Sequence, residues 1–166
     1  MAIFEIHTNA INLKEEEIAS RWNQTIVGAA GQGEKFYTKV EQYINGAGMP
    51  DVVVGRKEVD AFKPSQIAKK ANHRVFLSVN GEKALLNDNE ILIGARDFGK
   101  NLLVCRYIVA KKYSRSDFSV LDNEEREAYF SLVHSAVLAA TEEFMKELNL
   151  DTSKINRVSK GIIDIV

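Results

Sequence analysis

The sequence predicts an α+β domain in which an antiparallel β-meander packs against a long C-terminal helix. Three observations predict it. Val75, Leu77 and Val79 alternate with Phe76 and Ser78, the two-residue period of a strand, and Asn80-Gly81 follows at once. Asn and Gly both accept the positive φ of a tight hairpin turn. Short connections recur at Asn87-Asp88-Asn89 and over residues 97–101, too short for a parallel crossover, so the strands they join run antiparallel. Finally, Tyr129, Leu132, Val133, Ala136, Ala140, Phe144 and Leu148 repeat at helical spacing.

From the N-terminus, residues 2–8 alternate, with Ile3, Phe4 and Ile6 among Glu5 and His7, and read as a first strand. Asn12 and Glu15 have the spacing of a capped helix start, and Ile18, Trp22 and Ile26 then recur every four residues, one helical face. Gly28, Gly31 and Gly33 end that helix. Phe36, Val40, Tyr43 and Ile44 predict a second helix with Gly46 as its C-cap. The β-branched run Val52–Val54 predicts a strand. Residues 63–74 fit either a short helix entered at Pro64 or a loop. After the Asn80-Gly81 turn the expected strands are Ala84–Leu86, Ile91–Ala95 and Leu102–Ala110. Asp122 with Glu125 marks the start of the last helix, and Asn149 or Asp151 its end. Phe130, Val137 and Leu138 widen that helix's apolar stripe beyond one face. Ser153–Lys160 is expected to add a short helix before Gly161 frees the apolar tail Ile162–Val166.

The order strand, two helices, antiparallel strands and long C-terminal helix resembles the helix-grip folds, which hold apolar ligands between sheet and helix. The resemblance implies a cavity between the sheet and the last helix. It rests on element order alone, and no motif accompanies it.

The whole chain reads as one domain over residues 1–166, long enough to bury a core without disulfides or metal. Apolar residues are 45% and charged residues 27%, a globular composition, and the formal charge of −1 gives no global attraction to nucleic acid or anionic lipid. One cysteine, no basic-then-apolar leader pattern and no apolar run of about 20 residues lead to the expectation of a cytoplasmic protein without membrane contact.

Several segments imitate chemical motifs. Gly28-Ala-Ala-Gly31-Gln-Gly33-Glu34-Lys35 approaches a phosphate loop, but Glu34 stands where the lysine is needed and no hydroxyl residue follows Lys35. It reads as a helix–helix connection. Asp97-Phe98-Gly99 is shared with the kinase metal-binding triplet, yet the turn composition accounts for it. Cys105 lies in phase with Leu103, Tyr107 and Val109, as a buried small hydrophobe would. His7, His73 and His134 are far apart and show no metal-ligand spacing, so no metal or cofactor is expected. His134 falls near one stripe with Glu127, Ser131 and Thr141, which reads as a polar border to the core and, less favourably, as an oriented acid–base group.

Charge is patterned locally. Arg56, Lys57, Lys63, Lys69, Lys70 and Arg74 stand against Glu58 and Asp60, and Lys111, Lys112 and Arg115 follow the last strand. Lys69, Lys70, Arg74, Lys111 and Lys112 are the anion-binding candidates, although nucleic acid is not the expected partner. The last helix is acidic, and charge matching between it and the basic strand region is expected within one molecule or between subunits. A helix apolar on more than one face must be covered on more than one side. The sequence therefore leads first to a non-enzymatic module that self-associates or binds a protein. Phe130, His134, Leu138, Ile163 and Ile165 are the candidate contact residues, and the tail docks in cis or in trans. A small-molecule binder of helix-grip type is the alternative, and an enzyme using His134 the third reading.

Overall fold

A computed structural model describes residues 7–13, 17–60, 73–81, 89–110 and 120–161. Within them the chain runs β1 (His7–Asn12), β2 (Ile18–Ile26), α1 (Gly33–Gly46), β3 (Val52–Asp60), β4 (His73–Gly81), β5 (Asn89–Phe98), β6 (Asn101–Ala110), α2 (Val120–Glu147), a 3-10 turn (Thr152–Lys154) and β7 (Lys160–Gly161). One sheet holds all seven strands in the order β1-β3-β4-β5-β6-β2-β7. β1 lies parallel to β3, and every other pairing is antiparallel. The class is α+β, with a β-meander and a long last helix as the sequence predicts.

The expected first helix is a strand instead. Ile18–Ile26 pairs along β6, with Trp22 opposite Arg106 and Ile26 opposite Leu102. Spacing of four residues satisfies a helix of period 3.6 and a strand of period 2 alike. The residues in phase between the apolar ones are Ser20 and Gln24, whose polarity hides the strand alternation. One N-terminal helix therefore precedes the meander rather than two. The glycine segment after β2 consequently joins a strand to α1, and α1 carries the chain across to β3. β2 and β3 both run opposite to their neighbours in the β3-β4-β5-β6-β2 series, so they are parallel to each other. A crossover helix is the connection such a pair requires.

α1 forms where Phe36, Val40 and Ile44 place one buried stripe. It ends one residue later than expected, with Ala47 donating back to Tyr43 and Gly48 taking the positive φ of 63°. α2 ends at Asn149, whose φ is 57°. There the Asn149 N–H donates to Lys146 and the Leu150 N–H to Met145, the paired bonds of a Schellman cap. Of the expected helix over 153–160, one 3-10 turn is present, held by Asp151 accepting from the Ser153 N–H at 3.0 Å.

The turn expected at Asn80-Gly81 lies within β4 instead, where Asn80 pairs with Val53 and Gly81 with Val52. Val79 lies opposite Ile91, so the connection to β5 is long. A two-residue turn at 80–81 would have placed Val79 opposite residue 82. The expected return strand Ala84–Leu86 falls outside the described residues, as do residues 2–6, 63–72 and the tail 162–166. The third expected turn is present: Phe98 pairs with Asn101 across Gly99-Lys100, and Gly99 has φ 62°, as the first central residue of a type II′ turn requires.

The registers sort the two sheet faces. Trp22, Leu77, Ile93, Leu102 and Ile108 face α1 and α2 and form the main core with Phe36, Phe130 and Phe144. Phe36 meets Phe144 edge to face at 6.2 Å, which locks α1 to α2. The opposite face carries a smaller cluster of Val59, Phe76, Leu92 and Val109 with Leu13, Cys105 and Tyr107 packed against it. Among the described residues no helix is long and apolar enough to cross a membrane.

Candidate functional site

The sheet has an opening at its centre. β5 pairs with β6 without interruption from Asn89–Ala110 to Phe98–Asn101, but with β4 only at Ile91–Val79, Leu92–Ser78 and Ile93–Leu77. Beyond Leu77 and Ile93 the strands part. From the helix side the Tyr37 hydroxyl fills the break, donating to the Val75 carbonyl at 3.1 Å and accepting from the Ala95 N–H at 2.8 Å. Burial pushes the Tyr37 phenol up to about 12, so it stays protonated and keeps both bonds.

On the other face the break becomes a cleft of about 460 Å³ whose lining includes Phe76, Gly94, Leu103, Cys105 and Tyr107, with Arg74, Arg96 and Asn23 as its polar members. Gly94 makes room there. A Cβ at that position would stand 2.6 Å from Phe76 Cε1 and 2.7 Å from Cys105 Sγ, closer than atoms pack. Its absence lets the Phe76 ring lie across the strand as the floor. Phe76 and Tyr107 rings are 6.2 Å apart. Cys105 is half-buried, and burial raises its thiol pKa, the opposite of what a nucleophile needs. Among the described residues neither Arg74 nor Arg96 forms an ion pair. The Arg96 guanidinium lies 5.9 Å from the Phe98 ring. Lys57, on the same face, is already taken by Glu90 at 2.8 Å, which also accepts from the Ser78 hydroxyl at 2.6 Å.

The helix-covered face holds a second polar group. Arg106 is in phase with Val104 and Ile108 and is 0% exposed. Its Nη2 donates to Ser20 Oγ at 3.1 Å and to Ser159 Oγ at 2.7 Å, while Nε and Nη1 reach no acceptor among the described residues. His134 of α2 is 2% exposed and stands edge-on to Trp22 at 6.0 Å, with the Arg157 carbonyl facing its ring as a weak acceptor. Residues 155–161 strap this cluster down. Trp22 Nε1 donates to the Asn156 carbonyl, the Asn156 N–H donates to Gln24 at 2.8 Å, and β7 pairs with β2. Burial first, and the charge of Arg106 second, bring His134 down to about 4, with the Arg157 carbonyl acting in the opposite direction. Burial lowers Arg106 to about 10, which leaves it a cation at neutral pH.

The residues singled out from the sequence are dispersed. Phe130 and His134 lie inside the sheet–helix core, and Leu138 is half-buried against it. Thr141 also faces inward, bonding back to the Val137 carbonyl at 2.7 Å, whereas Glu127 and Ser131 are exposed. Of the anion-binding candidates Arg74 reaches the cleft. Lys69, Lys70, Lys111, Lys112, Ile163 and Ile165 lie outside the described residues. Arg56 and Lys57 take opposite faces, and Arg56 pairs with Glu34 and Glu41 of α1. Among the described residues Glu143 and Glu147 of α2 pair with α1: Lys39 holds Glu143 at 3.1 Å and Glu147 at 2.6 Å, and Lys35 holds Glu147 at 3.0 Å.

The imitation phosphate loop has its amides committed. Gly28 N–H donates to Asn101 Oδ1 at 3.1 Å, Ala30 N–H to the Lys100 carbonyl at 3.2 Å and Gly31 N–H to Asp97 Oδ1 at 2.7 Å. The Asp97 carboxylate already sits where an anion would bind. Among the described residues no three His, Cys, Asp or Glu side chains gather to hold a metal ion.

Sequence reasoning missed Arg96, Gly94 and Arg106 as site residues. A charged residue in phase with Val104 and Ile108 was the available signal for Arg106, and a glycine inside the run Ile91-Leu92-Ile93-Gly94-Ala95 was the signal for the cleft. Comparison with protein-family models, with curated proteins and with solved structures gives no match. Fold and site define an α+β protein whose sheet is covered by α1 and α2 on one face and carries a cleft on the other, beside the buried Val59, Leu92 and Val109.

Proposed function

We propose that this chain is a binding module for a small ligand carrying an acidic group on an apolar or aromatic body, seated in the cleft where β4 and β5 part. One observation carries the reading: the break in the central ladder opens onto an apolar floor flanked by Arg74 and Arg96, two cations without ion-pair partners among the described residues. The volume falls within the roughly 300–1,000 Å³ of small-molecule sites. A guanidinium is suited to bidentate binding of a carboxylate. Heteronuclear NMR titration with naphthalene-1-carboxylate and with the corresponding alcohol tests the proposal. Saturable shifts are expected at Phe76, Gly94, Leu103 and Cys105. Arg74→Ala and Arg96→Ala should each weaken the acid by roughly tenfold and leave the alcohol unchanged. Shifts confined to other residues, or equal losses for acid and alcohol, would overturn it.

Self-association is a second reading, favoured by the outer stripe of α2. Leu121 is 74% and Leu132 44% exposed, and Ala128 and Ala139 share their side of the helix. Sedimentation at micromolar concentration decides it: a Leu132-dependent dimer supports this reading, and a monomer ends it.

A further inference from the structure

The cluster on the closed face is unbalanced in both charge and hydrogen bonding. Arg106 offers Nε–H and two Nη1 protons with no acceptor among the described residues. Because Nη2 donates to both Ser20 and Ser159, each hydroxyl keeps its own proton to give. A neutral His134 supplies one acceptor, its N–H facing the Arg157 carbonyl. Donors thus outnumber acceptors around a fully buried cation. Burying an ion without a counter-charge costs several kcal/mol, and no carboxylate among the described residues reaches it. Water can take up the hydrogen bonds but cannot neutralise the charge.

We propose that Arg106, Ser20, Ser159 and His134 enclose a site for a small inorganic monoanion of chloride size, between the sheet and α2 beneath residues 155–161. The size follows from the surroundings. All four side chains are more than nine-tenths buried, and Trp22 closes one side. A one-atom anion needs little more room than a water molecule. The single positive charge matches a monovalent ion and not a phosphate. This site is separate from the cleft and stands or falls independently of it.

Thermal unfolding of the full chain at pH 7, in sodium chloride, sodium bromide or sodium gluconate at one ionic strength, tests the proposal. With halide at tenfold its dissociation constant, the midpoint should rise by roughly 3–6 °C over gluconate. Ser159→Ala should weaken the halide effect roughly tenfold, and Arg106→Met should abolish it. Should Arg106→Met fail to fold, crystals grown in bromide serve in its place. An anomalous peak between Arg106 and the two serines supports the site. Equal midpoints in all three salts, an unaltered halide effect in Ser159→Ala, or bromide peaks only elsewhere would overturn it.

Discussion

The two faces of the sheet handle arginine in opposite ways. On the closed face Arg106 is sealed under α2 and the 155–161 strap, bonded to two serines and surrounded by core. On the open face Arg74 and Arg96 flank a cleft over an apolar floor. The sheet is one, and strand parity assigns each arginine to its face. What differs is the cleft, since Val59, Leu92 and Val109 beside it are themselves buried. The closed face is buried under α1, α2 and residues 155–161, so a charge there is a structural cost that must be balanced locally. The second face interrupts its own ladder, and Arg74 and Arg96 stand at the break without ion-pair partners among the described residues.

The largest effect should come from cutting into packing on each side. Trp22→Ala removes a fully buried indole and should cost roughly 3–5 kcal/mol in urea unfolding. Phe76→Ala should cost about half as much, because the space it leaves joins a cleft open to water and no sealed cavity results. Equal losses would erase the distinction between the faces.

Acid separates the faces next. An unfolded imidazole takes up its proton near 6.5, and His134 in the fold only near 4. Between those values the unfolded state binds more protons. Stability should therefore be complete above pH 6.5 and fall by roughly 2–4 kcal/mol as the pH drops towards 4. His134→Gln should flatten that part of the pH profile. A slope unchanged by the substitution would place its origin elsewhere.

The smallest of the three effects belongs to the cleft floor. Gly94→Ala drives a methyl against Phe76 and Cys105 and should cost roughly 1–3 kcal/mol. Phe76→Leu in the same chain should recover part of the loss, a coupling that a double-mutant cycle would read directly. Additive losses would mean that the ring does not rest on Gly94.

Much of the closed face was legible in the sequence, because repetition carries it. The last helix repeats its apolar spacing over many turns and followed from period; β6 was legible as a strand, but with Arg106 inward and Leu103 and Cys105 on the other face, its core-facing side was not. β2 was misread since Ser20 and Gln24 occupy inward positions, and Ser20 is there for Arg106, a partner 86 residues away. The Asn80-Gly81 signal lost to tertiary pairing, which continues β4 through it along β3. The cleft has no local pattern at all. It depends on strands parting at one register, on Tyr37 from a helix 38 residues before Val75, and on a missing methyl at Gly94.

The Tyr37 bridge has a consequence for how this molecule holds together over time. Where Val75 and Ala95 would otherwise exchange a rung, a phenol from another layer completes the circuit. The amide of Ala95 is thus guarded by the docking of α1, so any excursion of that helix is also an excursion of the sheet. At this seam a piece of tertiary structure serves as the missing backbone bond, and layer separation and strand separation become one event.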